Sequence, residues 1–272
     1  MKHHRPRLLF LLAVLCLAVC LLAGCAARAA TADPDADLPT IVIGSDSYPP
    51  FNYLSADGQP TGIDVELATE AFRRMGYKAQ FVTIDWVDKK ELVENGTVDC
   101  LWGSFSIDGR EEYRWAGPYM VSRQVVAVMP GSDIETLADL AGKTVAVQAT
   151  TKPEALLLDG GDPRIPEVRA LLSMQKRELI YAYLSKGYAD AVAAHETSIL
   201  QFMSDFGIEY RILDEPLQVV GLGVAFALND DRGLDTALNA ALADMRADGT
   251  TRAILAKYLP DPDKYLEVDY GR

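Results

Sequence analysis

The 272-residue chain is 49% hydrophobic and 24% charged, with 20 glycines and 14 prolines, a balance that excludes disordered, collagen-like and low-complexity chains. Its formal charge of −13, with no basic run after residue 8, excludes a surface built to hold a phosphate backbone, so no nucleic-acid partner is expected. The length allows one large or two modest domains, each able to bury a core.

Lys2, Arg5 and Arg7 precede an apolar run from Leu8 to Ala23 that ends at Gly24-Cys25. A basic start, an apolar stretch and small residues at its end read as an export signal over residues 1–24. The stretch is short for a span of the hydrocarbon core. Leu22-Ala23-Gly24-Cys25 resembles a bacterial lipobox, which implies a lipidated Cys25 as the first mature residue and a membrane-anchored, extracytoplasmic protein at the cell surface or in the periplasm. The alternative is an ordinary signal or an uncleaved anchor that ends in Cys. Cys16 and Cys20 leave with the signal, so Cys100 remains without an intramolecular partner and is expected in the core. Residues 25–38, rich in Ala, Asp and Pro, read as a flexible tether.

The ordered pattern begins with a strand over 40–44 and a turn-rich segment. Val65, Ala68, Phe72 and Met75 recur at helical spacing, with Gly76 closing the helix. A strand (79–84), a helix (86–94) and a strand (98–104) follow, the alternation of a parallel α/β sheet. The pattern restarts with strands at 125–129 and 144–148 around a short helix at 137–140. Helices near 153–158 and 174–185, a strand at 190–194 and a helix to 206 complete a second unit. A long strand over 219–227 and a helical segment over 231–259, broken at Gly249, close the chain. Glu94 to Asp99 and Ser185 to Asp190 share one plan: helix end, Gly, two residues, Asp, apolar strand. The reading is two α/β lobes, the first from 39–124 and 217–272, the second from 125–216. Hinge crossings fall near 123–129 and 217–225, with a ligand cleft at the strand C-termini.

Gly62-Ile63-Asp64-Val65-Glu66-Leu67 follows an aromatic, proline-rich turn (Tyr48-Pro49-Pro50-Phe51). Downstream come the block from Asp99 to Tyr119, the turn from Val145 to Thr151, Asp190-Ala191-Val192, Gly223 to Phe226, and Met245 to Gly249. In this order they resemble the extracellular solute-binding proteins, family 3, of polar amino-acid ABC importers. The resemblance implies a type II periplasmic-binding fold, a small amino acid or related zwitterion as ligand, no catalysis and no cofactor; no metal is expected, because His195 is the one histidine of the expected mature chain and no metal-ligand spacing occurs. It also implies an ABC permease with its ATPase as partners, and a monomer is expected.

The residues themselves suggest the site. Arg110 follows an apolar strand and a polar turn, where its guanidinium can grip a carboxylate; the plainer reading pairs it with Glu111 or Glu112. Ser104 and Ser106 alternate along the strand end. Thr150 and Thr151 precede a helix and can present N–H groups or cap it. The resemblance implies that Tyr48 and Trp86 sandwich the ligand side chain; Phe51 reads as core. Asp46 is a candidate for a ligand ammonium, or else shapes its loop as an Asx-turn.

Three departures from the family pattern stand out. The loop before Arg110 is one residue short, and Thr150 stands where Gly is expected. Where the resemblance implies an ammonium-binding Asp, this chain has His195, with Glu196 next. A one-residue shift lets Glu196 replace that Asp; without it a neutral His binds an amine poorly. In the plainer reading His195 caps a helix that Glu196 favours at its N-terminus. Two other functions stay open: a dehydratase of prephenate or arogenate on the same fold, with His195 or Glu196 as general acid, and a sensor docking on a membrane receptor.

Overall fold

The computed structural model describes residues 37–267. The expected signal, Cys25 and the tether up to residue 36 lie outside the described residues. Among those described, no helix is long and apolar enough to cross a membrane.

Strand β1 (Thr40–Ser45) is flanked in parallel by β4 (Lys78–Thr83) and β5 (Cys100–Ser106), with Ile43 opposite both Phe81 and Cys100. Two short strands, β2 (Tyr53–Leu54) and β3 (Pro60–Thr61), form a small hairpin before helix α1 (Ile63–Arg74). The helix buries Ile63, Leu67, Ala68, Ala71 and Phe72 on one face, as apolar residues at three- and four-residue spacing dictate. Gly62, at φ 123°, lies so close to the Phe51 carbonyl that no Cβ fits. A 3-10 turn (Trp86–Asp88) leads into α2 (Lys89–Glu94).

The second unit repeats this plan. Strand β7 (Thr144–Gln148) lies in parallel between β8 (Ala170–Met174) and β9 (Ala191–His195). Helices α3 (Lys152–Asp159), α4 (Arg177–Ser185) and α5 (Glu196–Phe206) pack around them. The echoed motif has the same job in both places. Gly96 and Gly187 turn left-handed at φ 76° and 72°. Asp99 Oδ2 then accepts the Val42 N–H at 2.8 Å, and Asp190 Oδ2 accepts the Thr144 N–H at 2.7 Å. Each carboxylate ties its strand to the central strand of its own unit.

Strands β6 (Tyr113–Val128) and β11 (Gln218–Ala227) join the two units. They run antiparallel to each other, and β11 also borders β5 while the far end of β6 borders β9. The short β10 (Arg211–Ile212) lies beside β6. The continuous order is β4-β1-β5-β11-β6-β9-β7-β8. The cores nonetheless divide. Ile41, Phe72, Trp102, Met120 and Leu222 pack with the C-terminal helices α6 (Leu234–Ala247) and α7 (Thr250–Leu255). Val126, Val147, Ala193 and Leu217 belong to a separate cluster. This is the two-lobed type II binding fold, with two strands crossing between the lobes.

Two elements differ from expectation. The strand expected at 125–129 begins at Tyr113, because Gly117-Pro118, a turn signal in sequence, sits in a bulge. Residues 117–119 oppose Gly223 alone, between the pairs Ala116–Val224 and Met120–Leu222, so Pro118 needs no ladder N–H. Strand β8 occupies 170–174, where only the start of a helix was expected. Its Ala-Leu-Leu-Ser-Met run is made of helix formers and residues neutral to strand, and edge pairing to β7 overrides that preference.

Candidate functional site

The strand C-termini of both lobes converge on one cleft. From the first lobe come Asp46 after β1, Trp86, and Ser104, Ser106 and Arg110 at the end of β5. The second supplies Gln148 and Thr150-Thr151 after β7, Arg177 at the first position of α4 and His195 at the end of β9. Tyr48, Trp86, Ser104, Ser106, Arg110, Thr151 and His195 line it together.

Arg110 faces the cleft. Its Nη1 donates to the Ser106 carbonyl at 2.9 Å and its guanidinium carbon lies 4.9 Å from the Phe105 ring centre. The Trp115 indole N–H donates to the Arg110 carbonyl at 2.9 Å, fixing the backbone from which the side chain extends. Burial lowers its affinity for the proton, against the opposing pull of Glu112, Tyr113 and Asp108, yet a guanidinium stays charged.

Ser104 is held in the left-handed region at φ 51°. The cause lies beneath it: its N–H donates to Asp64 Oδ2 at 2.7 Å, and the Tyr119 hydroxyl donates to Asp64 Oδ1 at 2.7 Å. Asp64 is fully buried, which pushes its pKa up to about 7. The Ser104 hydroxyl, also buried, has no hydrogen-bond partner. The Ser106 hydroxyl lies 3.5 Å from the Gln124 amide nitrogen.

Thr150 is left-handed too, at φ 59°, the conformation that the expected Gly would take without strain. Its N–H donates to Glu154 Oε2, and its hydroxyl accepts from Lys89 Nζ at 2.8 Å. Thr151 stands at the N-cap of α3 with no side-chain cap; its hydroxyl donates to the Gln148 carbonyl at 2.6 Å.

Tyr48 and Trp86 are 2% and 5% exposed. The Arg177 guanidinium stacks on the Tyr48 ring, and Lys89 Nζ lies 5.1 Å from the Trp86 ring centre. Phe51 lies in the core, as its sequence context suggested. Asp46 faces the opposite lobe: its Oδ2 accepts from Gln148 Nε2 at 2.8 Å and lies 3.5 Å from Arg177 Nη2.

His195 and Glu196 part company. His195 lines the cleft, with Nδ1 2.8 Å from Ser122 Oγ and Nε2 3.1 Å from the Gln124 amide nitrogen. Burial, with the Arg177 charge beside it, lowers its pKa to about 3, so the ring is neutral. Glu196 turns away, accepting from Arg123 Nη1 at 3.3 Å and Lys264 Nζ at 3.0 Å. The shift that offered Glu196 to a ligand ammonium does not match this geometry, because those two cations already hold the carboxylate. Glu196 instead opens α5, where a negative charge suits the helix dipole.

Sequence reasoning missed Lys89, Gln124, Gln148, Lys152 and Arg177. One signal was available. Lys89, Lys152 and Arg177 each begin a helix, where the dipole disfavours a cation. A basic residue at such a position needs another reason to be there.

The open space left between the lining side chains is about 30 Å³, far below the roughly 300–1,000 Å³ of an ordinary ligand cleft, so a solute enters only if the lobes part. Contacts that would break include Asp46–Gln148, Lys89–Thr150 and Lys152 Nζ to the Asp108 carbonyl at 3.3 Å.

Comparison with known proteins decides the family. The model of bacterial extracellular solute-binding proteins, family 3, matches residues 41–261. The chain belongs to this family. A histidine-binding periplasmic protein of Salmonella typhimurium is 32% identical over 239 residues, covering 83% of this chain and 89% of the relative. A putative amino-acid ABC transporter-binding protein of Vibrio harveyi is 30% identical over 218 residues, covering 79% and 86%. Among solved structures, an ABC uptake transporter substrate-binding protein from Streptococcus pneumoniae with bound histidine superposes with a TM-score of 0.75. It is 24% identical, and the match covers 82% of this chain and 93% of that one. This solute-binding protein therefore shares the two-lobed fold of its relatives.

Proposed function

We propose that the interlobe cleft captures a small amino acid or related zwitterion and presents it to an ABC permease and its ATPase, without catalysis. One observation carries the reading: buried polar atoms of Ser104, Gln124 and Arg177, contributed by both lobes and the strands between them, have no hydrogen-bond partner, and all three residues line one cleft. Buried polar atoms are costly unless matched, and a ligand supplies the match. Arg110 and the Ser104–Ser106 strand end take a carboxylate from the first lobe, with Thr150 and Thr151 beside it on the second. Tyr48 and Trp86 frame the remainder of the molecule, and Asp46 faces it from the first lobe. The protein acts as a monomer, held at the extracytoplasmic face by lipid on Cys25.

Because a ligand shared by both lobes favours the closed state, binding shifts the population toward the shape that a permease reads. The test is thermal denaturation of protein unfolded and refolded to strip carried solute. At a hundredfold excess over Kd, a ligand stabilises by about 2.7 kcal/mol. Arg110→Ala should abolish the shift while leaving the solute-free melting temperature in place; an undiminished shift overturns the role given to Arg110. A dehydratase reading finds less support, since a neutral His195 and an ion-paired Glu196 are poor general acids. Prephenate and arogenate should be recovered unchanged after incubation with the protein.

A further inference from the structure

The charges around the cleft are one-sided. Among the described residues, its lining holds Arg110, Lys152 and Arg177 and no carboxylate. A fourth cation, Lys89, stands behind Trp86, its ammonium on Thr150 Oγ1 and on the Trp86 carbonyl at 3.1 Å. Lys152 and Arg177 also open helices, so the positive ends of α3 and α4 add to the same field. Of the acids nearby, Glu112 and Asp108 act on the Arg110 charge, and three others are already engaged. Glu154 accepts from the Thr150 N–H and from Ser173, and Glu196 holds Arg123 and Lys264. Asp46 meets Gln148 and Arg177.

Arg177 is the decisive side chain. It is 8% exposed, with its guanidinium carbon over the Tyr48 ring and Nη2 donating to Gln148 Oε1 and facing Asp46. Its Nη1 is buried with no partner. A guanidinium held this way from behind offers its free edge to an acceptor in the cleft, and an anionic acceptor suits it best. Arg110 supplies a second anion site on the opposite lobe. No group is equally free for an ammonium: His195 is neutral, and Asp46, whose Oδ1 lacks a hydrogen bond, faces the cation of Arg177.

We propose that the solute is a short dicarboxylate, acidic amino acids included, whose two carboxylates span Arg110 on the first lobe and Arg177 on the second, with any amine contributing little. The inference rests on the reading of the cleft as the solute site and narrows it to a ligand class. A cationic or neutral amino acid would leave Arg177 Nη1 without an anionic acceptor in the closed protein. The second carboxylate instead links the lobes through a charge-assisted bond, so the anion that satisfies Arg177 also holds the closed form.

The test is calorimetric titration of the refolded protein with glutarate, L-glutamate, L-glutamine, L-histidine and L-arginine. L-Glutamate and L-glutamine share shape and amine and differ in the side-chain charge. Glutarate and L-glutamate should bind within about tenfold of each other, and L-glutamine about a hundredfold more weakly, the ratio set by one charged hydrogen-bonded contact. Arg177→Gln should remove most of the preference for glutamate over glutamine. A purely structural role would instead weaken both equally and overturn the assignment. Tighter binding of glutamine, histidine or arginine than of any dicarboxylate overturns the ligand class and leaves the amino-acid capture proposal standing. Binding by none of the five overturns both.

Discussion

At the scale of single residues, two buried titratable groups oppose each other. Asp64, raised to about 7 by burial, binds its proton more tightly in the folded state, so its contribution to stability is full at low pH and is lost as pH rises through 7. His195, lowered to about 3, works in the reverse sense: the unfolded chain takes up the proton first, so stability is lost as pH falls below about 6.5. Between about pH 4 and 6.5 the two slopes offset each other. Asp64→Asn should expose the His195 slope, with stability falling on acidification in urea titrations across that range. His195→Gln should expose the Asp64 slope, with stability falling as pH rises toward 7. Parallel pH profiles in wild type and both variants would contradict the assignment. The amide in Asp64→Asn can still accept from Ser104 and donate to Tyr119. Asp64→Ala strands both donors, at about 1–3 kcal/mol each.

Other features at this scale had a signal in the sequence. Arg110 follows an apolar strand and a turn, and Ser104 and Ser106 are polar at a strand end, whereas Tyr48 and Trp86 were singled out only through the family resemblance. The left-handed Ser104 was not readable, because its cause is a carboxylate forty positions earlier.

Among the elements, the crossing strands set the geometry between the lobes. Gly223 of β11 sits opposite the bulge at residues 117–119 of β6, and a Cβ there would meet the Ala116 carbonyl at 2.8 Å and the Ile107 side chain. Gly223→Ala should destabilise by about 1–3 kcal/mol through overpacking, read as a lower melting temperature, and should disturb solute affinity as well, since Ile107 follows Ser106. A variant as stable as wild type would mean that the bulge yields freely. The Gly-to-Asp echo was legible because its physics is local: a helix stop and a strand start recur within six residues. Strand β8 was illegible because neighbour pairing, absent from the sequence window, decides it.

At the scale of the whole molecule, side chains of one lobe are hydrogen-bonded to the other across the cleft. Gln148→Ala removes the Asp46 bond and a partner of Arg177, and should shift the solute-free population toward open lobes. Small-angle scattering would then give a larger radius of gyration without solute and an unchanged one at saturation. Equal radii for wild type and variant in both conditions would show that these contacts do not hold the lobes together.

The sequence by itself determined the α/β class, the two repeating units, the crossing regions and the strand ends that carry the cleft. These follow from hydrophobic period, helix stops and ordered motifs, all written in neighbouring residues. Only the tertiary structure decided which of His195 and Glu196 lines the cleft, because one residue of phase at a strand end turns a side chain away from it, toward Arg123 and Lys264. It alone placed Lys89, Lys152 and Arg177 around the same space. Their positions in the chain span 89 to 177, and the charge of a cleft is a sum over residues that only folding brings together.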